Sequence, residues 1–296
     1  MKKFDLKGSI VAIVTPFLEN GEIDVDAFDS LIEWHLKNGT DGLVVCGTTG
    51  ETPALTGDED AFLIERAVKK VAGQIPIIAG TGSNSTQECI KYSRKAEAIG
   101  VDAILVVGPY YNKPTEKGMY LHFAAVAKAI DLPIILYNVP GRTGSSISVA
   151  NAIKLGNDFN NIVGIKEASG NLALFTELVA NRPDGFVVYS GDDFLASSAN
   201  LLGADGCISV IANVIPKEFS QLMKSSLEGD VATTNTIFYK YRELMDLMFI
   251  ESNPIPVKTA LAEMRKVQEV FRSPMCTMED NTKAQLVNEL RKLNII

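Results

Sequence analysis

The sequence predicts an α/β fold, a (β/α)8 TIM barrel with a C-terminal helical subdomain, on three observations. Short apolar runs alternate with amphipathic stretches eight times along the chain. The runs are continuously apolar, as parallel strands become when helices cover both faces of the sheet. From about residue 230 only helical patterns remain. Eight strand–helix units close a barrel rather than an open sheet. The barrel is therefore expected over 1–229 and the helical subdomain over 230–296.

The first run, "GSIVAIVTPF", leads into "DVDAFDSLIEWHLKNG", where Phe28, Leu31, Ile32 and His35 share one helical face and Gly39 marks the stop. "DGLVVCG" precedes "TGDEDAFLIERAVKKVAG", and "PIIAGTG" precedes "STQECIKYSRKAEAIG". "DAILVVGPY" precedes a helix predicted over 116–130, "PIILYNV" one over 148–155, and "IVGIKEAS" one over 172–181. "FVVYSGDD" comes before "FLASSANLLGA", and "GCISVIANV" before "PKEFSQLMKSSLEG". The tail supplies "VATTNTIFYKYRELMDLMFI", "PVKTALAEM" and "TKAQLVNELRKL".

Composition excludes several functional classes. The chain has 296 residues, 46% of them hydrophobic and 22% charged, as in ordinary globular proteins. A net charge of −8 argues against a nucleic-acid partner, and the cluster of Arg66, Lys69 and Lys70 is too small to reverse that. No apolar run approaches the roughly 20 residues of a membrane span. The N-terminus is basic and then briefly apolar, which reads as a first strand rather than a signal peptide. Cys46, Cys89, Cys207 and Cys276 form no CxxC pair, so a reduced, cytoplasmic setting is expected. His35 and His122 lie on separate predicted helices without metal-ligand spacing, so no metal is expected. "AGTGSNS" lacks the third glycine and the acid of a dinucleotide fingerprint and reads as a strand-to-helix loop.

The informative residues stand at strand ends. Lys166 lies within the apolar run of "NIVGIKEASG", although lysine is rarely buried without a partner. A closed barrel has no edge strand to expose it, and alternation places it beside small Gly164 and Ala168. The bland alternatives are a lysine reaching solvent at the strand end or one paired with a carboxylate. "CGTTGETPAL" sets Thr48 and Thr49 between glycines, where hydroxyls and backbone N–H groups can receive an anion. "GPYYNKPTEKG" carries Tyr110 and Tyr111, and "YNVPGRTG" carries Tyr137 on a strand and Arg142 on the following turn. A guanidinium on a rigid turn suits carboxylate recognition. Lysine, tyrosine and threonine make a coherent set for imine chemistry. A neutral amine attacks a ketone, burial favours that neutral form, and a phenol can supply the proton that carries water away.

Taken together, "GTTGE", "PYYNKPTEKG", "YNVPGRTG", "GIKEASGN" and "NPIPVK" closely resemble the 4-hydroxy-tetrahydrodipicolinate (dihydrodipicolinate) synthase family, in order along nearly the whole chain. This family belongs to the superfamily that includes N-acetylneuraminate lyase. The resemblance implies a lyase-type synthase, usually a homotetramer, that condenses pyruvate with L-aspartate 4-semialdehyde in the diaminopimelate route to lysine. It needs no cofactor beyond a covalent imine with pyruvate. By the same resemblance Lys166 forms the imine, and Tyr137 moves protons through Thr48 and Tyr111, the last supplied by a neighbouring subunit. Thr49 holds the pyruvate carboxylate and Arg142 that of the semialdehyde. Gly191 and Ile208 line the site through backbone carbonyls. Sialic-acid lyases resemble the chain in lysine and tyrosine but lack this arginine, so a 2-keto-3-deoxy sugar-acid aldolase or a sialic-acid-lyase-like enzyme is the alternative.

Lysine inhibits many bacterial members of the family from a dimer-interface site, whose positions match Asn84, Glu88 and Tyr110. Lysine-responsive members often carry histidines after the "GTTGE" turn, where this chain has Gly57 and Asp60. Feedback by L-lysine is therefore expected to be present but altered. The plainer alternative is that Asn84 and Glu88 only begin and solvate the third helix.

Overall fold

Eight parallel strands, hydrogen-bonded in chain order, close on themselves with the first beside the last in the computed structural model, which describes residues 4–296. They are β1 (Gly8–Ala12), β2 (Gly42–Val45), β3 (Ile77–Gly80), β4 (Ala103–Val107), β5 (Ile134–Asn138), β6 (Ile162–Glu167), β7 (Val187–Ser190) and β8 (Gly206–Ser209). The intervening helices are α1 (Val25–Lys37), α2 (Gly57–Val71), α3 (Thr86–Ile99), α4 (Glu116–Ala127), α5 (Pro140–Thr143), α6 (Val149–Asp158), α7 (Leu172–Asn181), α8 (Asp193–Leu201) and α9 (Pro216–Leu227). Then follow α10 (Val231–Leu247), α11 (Ile255–Glu263) and α12 (Asp280–Lys292). Helix α12 packs on α10 and α11, and α10 packs on α8 and α9. No helix among the described residues is long and apolar enough to cross a membrane.

Strand alternation sorts the apolar residues into two layers. Ile10, Val44, Ile78, Leu105 and Ile135 fill the barrel interior. Val11, Leu43, Val45, Ile104 and Leu136 face outward and pack beneath the helices. Phe28, Leu31, Ile32 and His35 are the buried face of α1, as their spacing predicts. Side-chain oxygens from Asp24, Thr56, Ser85, Thr115 and Ser148 accept from first-turn N–H groups and start five of the helices.

Three local departures have physical causes. The first apolar run is strand only to Ala12, because Thr15 turns its hydroxyl to the Gly50 carbonyl at 2.7 Å and Pro16 has no N–H for a ladder. The helix predicted over 116–130 ends at Ala127, and Asn161 caps the carbonyls of Ala127 and Ile130 at 2.9 and 3.0 Å. "PGRT" forms the short helix α5, opened by Pro140 at its first position, which carries Arg142.

Strand β6 also carries a register shift. Ile134 pairs with Ile162, whereas Ile135 pairs with Gly164. Val163 below the shift and Ala168 above it both belong to the interior layer, while Ile165 faces outward. The extra residue re-aims the upper strand, which is how Lys166 comes to share the barrel's inside with Tyr137.

Candidate active site

Lys166 stands near the C-terminal end of β6, in register with Tyr137 on β5 and Tyr189 on β7. Only 6% of its surface is exposed, and no carboxylate among the described residues pairs with it. Its Nζ lies 4.3 Å from the centroid of the Tyr137 ring. That separates it from both bland alternatives: it neither escapes to solvent nor neutralises a buried acid. Behind the pair, Asn138 Nδ2 donates to Glu167 Oε2 at 2.7 Å, and Asn138 Oδ1 accepts from Ile147 N at 2.9 Å. This buried bridge locks the ends of β5 and β6 and anchors the chain beyond α5.

Room for the lysine stem depends on Gly191. A Cβ there would stand 2.6 Å from the Ala168 Cβ and 2.7 Å from the Lys166 Cε. The Ala168 Cβ is fixed to its backbone and the other neighbour is the lysine stem, so an added methyl must displace the lysine.

Thr48 and Thr49 occupy a single 3-10 turn, Thr48–Gly50, at the top of β2. Three groups remote in sequence hold it. Thr15 donates to the Gly50 carbonyl, Asn253 Nδ2 donates to Thr49 Oγ1 at 3.0 Å, and Lys258 Nζ meets Glu51 Oε1 at 2.5 Å. Glu51 has a left-handed backbone, φ 55°, and is buried, and Lys258 is fully buried. Lys258 also donates to the Val270 carbonyl at 2.7 Å and lies over the rings of Phe17 and Phe271. Burial pushes the Lys258 ammonium below the usual lysine range, and the Glu51 carboxylate opposes that shift.

A cavity of about 530 Å³ gathers these groups, with Thr48, Thr49, Tyr137, Arg142, Lys166 and Gly191 in its wall. Arg142 is exposed at the mouth, and its Nη2 donates to the Asn253 carbonyl at 3.2 Å. Helices α8 and α10 contribute Phe194 and Asp246, and Phe249 follows just after α10. A second cavity, about 460 Å³, shares Gly47, Thr48, Tyr137 and Arg142 with the first and runs outward between α2 and α3 to Asp60, Tyr92 and Lys95.

The remaining candidates are placed differently. Ile208 is fully buried in the interior layer and lines neither cavity, although Val210 just beyond it does. Asp193 holds that segment by accepting from Val210 N and Ile211 N at 3.1 and 2.8 Å. Tyr111 is 89% exposed, with a left-handed φ of 68°, and touches neither cavity within its own chain. Tyr110 lines the second cavity, whereas Asn84 and Glu88 stand at the start of α3 outside both. The Glu88 carboxylate beside Tyr92 raises the Tyr92 pKa and lies next to the wall of the second cavity. Among the described residues no cluster of three metal-ligating side chains occurs.

Asn253 and Lys258 are site residues to which sequence reasoning assigned no role. The signal was the "NPIPVK" string itself, an amide and a lysine in an otherwise apolar stretch.

Known proteins resemble the chain over its whole length. The profile of the Dihydrodipicolinate synthetase family matches residues 5–293. The 4-hydroxy-tetrahydrodipicolinate synthase of Thermodesulfovibrio yellowstonii is 49% identical over 98% of this chain and 99% of its own. The crystal structure of the dihydrodipicolinate synthase from Acinetobacter baumannii, complexed with pyruvate, superposes with a TM-score of 0.96. It is 44% identical, covering 98% of this chain and 100% of that one. That of the enzyme from Cyanidioschyzon merolae, with lysine bound, also gives a TM-score of 0.96, at 37% identity over 99% and 100% of the two chains. With the barrel, the buried lysine and these full-length matches in hand, the chain belongs to the dihydrodipicolinate synthetase family.

Proposed function

We propose that this chain condenses pyruvate with L-aspartate 4-semialdehyde through an imine on Lys166, with no metal or other cofactor. The observation that carries the reading is a buried amine without a carboxylate partner, 4.3 Å from a tyrosine ring, in a cavity that also holds two threonines and an arginine. The neutral amine adds to the ketone carbon of pyruvate. Tyr137 then protonates the departing hydroxyl, and water leaves to give the iminium. Loss of a methyl proton to the tyrosine oxygen yields an enamine, whose carbon attacks the aldehyde while the aldehyde oxygen takes a proton back. Thr48 carries the proton relay, and Thr49 with the backbone of its turn holds the keto-acid carboxylate. Arg142, at the mouth, takes the carboxylate of the incoming semialdehyde. Gly191 gives the lysine its space.

Tyr111 completes the relay from a second copy, within a homotetramer. Its exposure and its left-handed backbone on a projecting loop suit a side chain delivered to a neighbour. The scattered free cysteines suit a cytoplasmic enzyme.

A coupled assay of wild type and Arg142→Ala, with aspartate semialdehyde and sugar-derived aldehydes as acceptors, tests the substrate assignment. The substitution is expected to raise KM for the semialdehyde about 10- to 100-fold and to leave KM for pyruvate nearly unchanged. Sugar-derived aldehydes are expected to remain poor acceptors for both proteins. Unchanged use of the semialdehyde by Arg142→Ala would move its anchor elsewhere.

L-Lysine is a proposed effector of the second cavity, with Tyr110, Asn84 and Glu88 around it. Asp60 lines that cavity, and its pKa is raised to about 6, chiefly by burial. Glu59 adds to the rise, while Cys46 and Lys95 oppose it. Above pH 6 the cavity therefore gains a negative charge that favours a cationic ligand. Steady-state rates in millimolar lysine are expected to fall more at pH 7.5 than at pH 5, and Asp60→Asn is expected to flatten that difference. Rates indifferent to lysine at both pH values would remove the effector.

A further inference from the structure

Thr49 is 2% exposed, and its hydroxyl receives the Asn253 amide N–H at 3.0 Å. A hydroxyl with an acceptor position filled in this way has its own proton free to give. Among the described residues no hydrogen bond from Thr49 Oγ1 to a protein acceptor is present. Asn253 is itself 5% exposed, and its Oδ1 is buried without a partner. Protein interiors rarely leave such atoms unpaired, so one in the wall of this cavity calls for a reason. The same residue, on the segment between α10 and α11, receives Arg142 on its main-chain carbonyl at 3.2 Å. One side-chain amide from outside the barrel thus governs the polarity of a hydroxyl in the wall of the lysine's cavity.

We propose that Asn253 is a positioning residue that holds Thr49 as a hydrogen-bond donor toward the carboxylate of the keto acid. This rests on the imine reading of the site. The amide occupies an oxygen lone pair, so the O–H points to the ligand rather than back into protein. A carboxylate in place of the amide would reverse the bond. Thr49 would then donate to the protein, and a second negative charge would face the substrate's own.

Asn253→Asp is nearly isosteric with asparagine and makes that reversal directly. It is expected to raise KM for pyruvate about 10- to 100-fold, the scale of one hydrogen bond to a charged group, with kcat at saturating pyruvate within about threefold. KM for the semialdehyde is expected to stay within about twofold, because the main-chain carbonyl that meets Arg142 survives any side-chain replacement. Asn253→Ala, which removes the amide without adding charge, is expected to show the same pattern with a smaller rise. Its effect should be less than additive with Thr49→Val, since both act on one bond.

An unchanged pyruvate KM in both Asn253 variants, an additive double variant, or a fall in kcat with KM preserved would each overturn the proposal. If Asn253→Asp does not fold, Asn253→Ala and its cycle with Thr49→Val decide the question alone. A wild-type protein that traps no pyruvate on Lys166 with borohydride would instead overturn the imine reading, which keeps the two failures distinct.

Discussion

Lys166→Met is expected to abolish turnover and the borohydride-trapped pyruvate adduct together, with the fold intact. Methionine matches the length and apolar character of the lysine stem, which is buried between Gly191 and the Tyr137 ring. No ion pair with a described residue breaks, so the melting temperature is expected to change little. Activity has no such tolerance. In the proposed mechanism the amine is the nucleophile and the iminium it forms is the electron sink, and losing such a group costs at least about ten-thousand-fold in kcat. Mass spectrometry after borohydride reduction in pyruvate should find one adduct on wild type and none on the variant. Adduct formation at another lysine, or turnover near that of wild type, would end the assignment.

Lys258→Met is expected to act through stability instead. Lys258 and Glu51 are both buried, and removing one leaves the other charge without compensation. Breaking a buried pair from one side costs about 3–5 kcal/mol. That corresponds to a fall of about 5–15 °C in melting temperature for a chain of this size. Adding Glu51→Gln to Lys258→Met removes the stranded charge and is expected to recover much of the loss, since neutral replacements of buried pairs are often tolerated. Thermal unfolding of the two single variants and the double variant measures the coupling. A double variant no more stable than Lys258→Met alone would show that the pair does not act as a unit. The pair also fastens the turn that carries Thr48 and Thr49, so the C-terminal helices help to fix the site as well as the fold.

Much of this molecule is legible in its sequence. Periodicity alone separated strand from helix in "DVDAFDSLIEWHLKNG", and the structure buries the four residues that the spacing selects. Continuous apolar runs distinguished a covered parallel sheet from an open antiparallel one. Lys166 stood out because an ammonium in an apolar strand is energetically odd. Signals of this kind are local: they depend on residue type and on spacings shorter than one element.

The sequence by itself determined the eight-unit barrel and the helical tail, and it singled out Lys166 and Tyr137 as the candidate reactive pair, because apolar spacing and chemical type are properties of short segments. Tertiary structure decided the rest. The register shift that turns Lys166 inward beside Tyr137 arises only when β6 pairs with β5. Asn253 and Lys258 reach the "GTTGE" turn across more than 200 residues, 204 for Asn253 and 207 for Lys258, contacts that no window along the chain contains. Tyr111, next to Tyr110 in sequence, points away from its own cavity because the loop backbone turns left-handed there. Hydrogen bonds and buried charges find partners through space, so their pairing is set by the fold once it has closed.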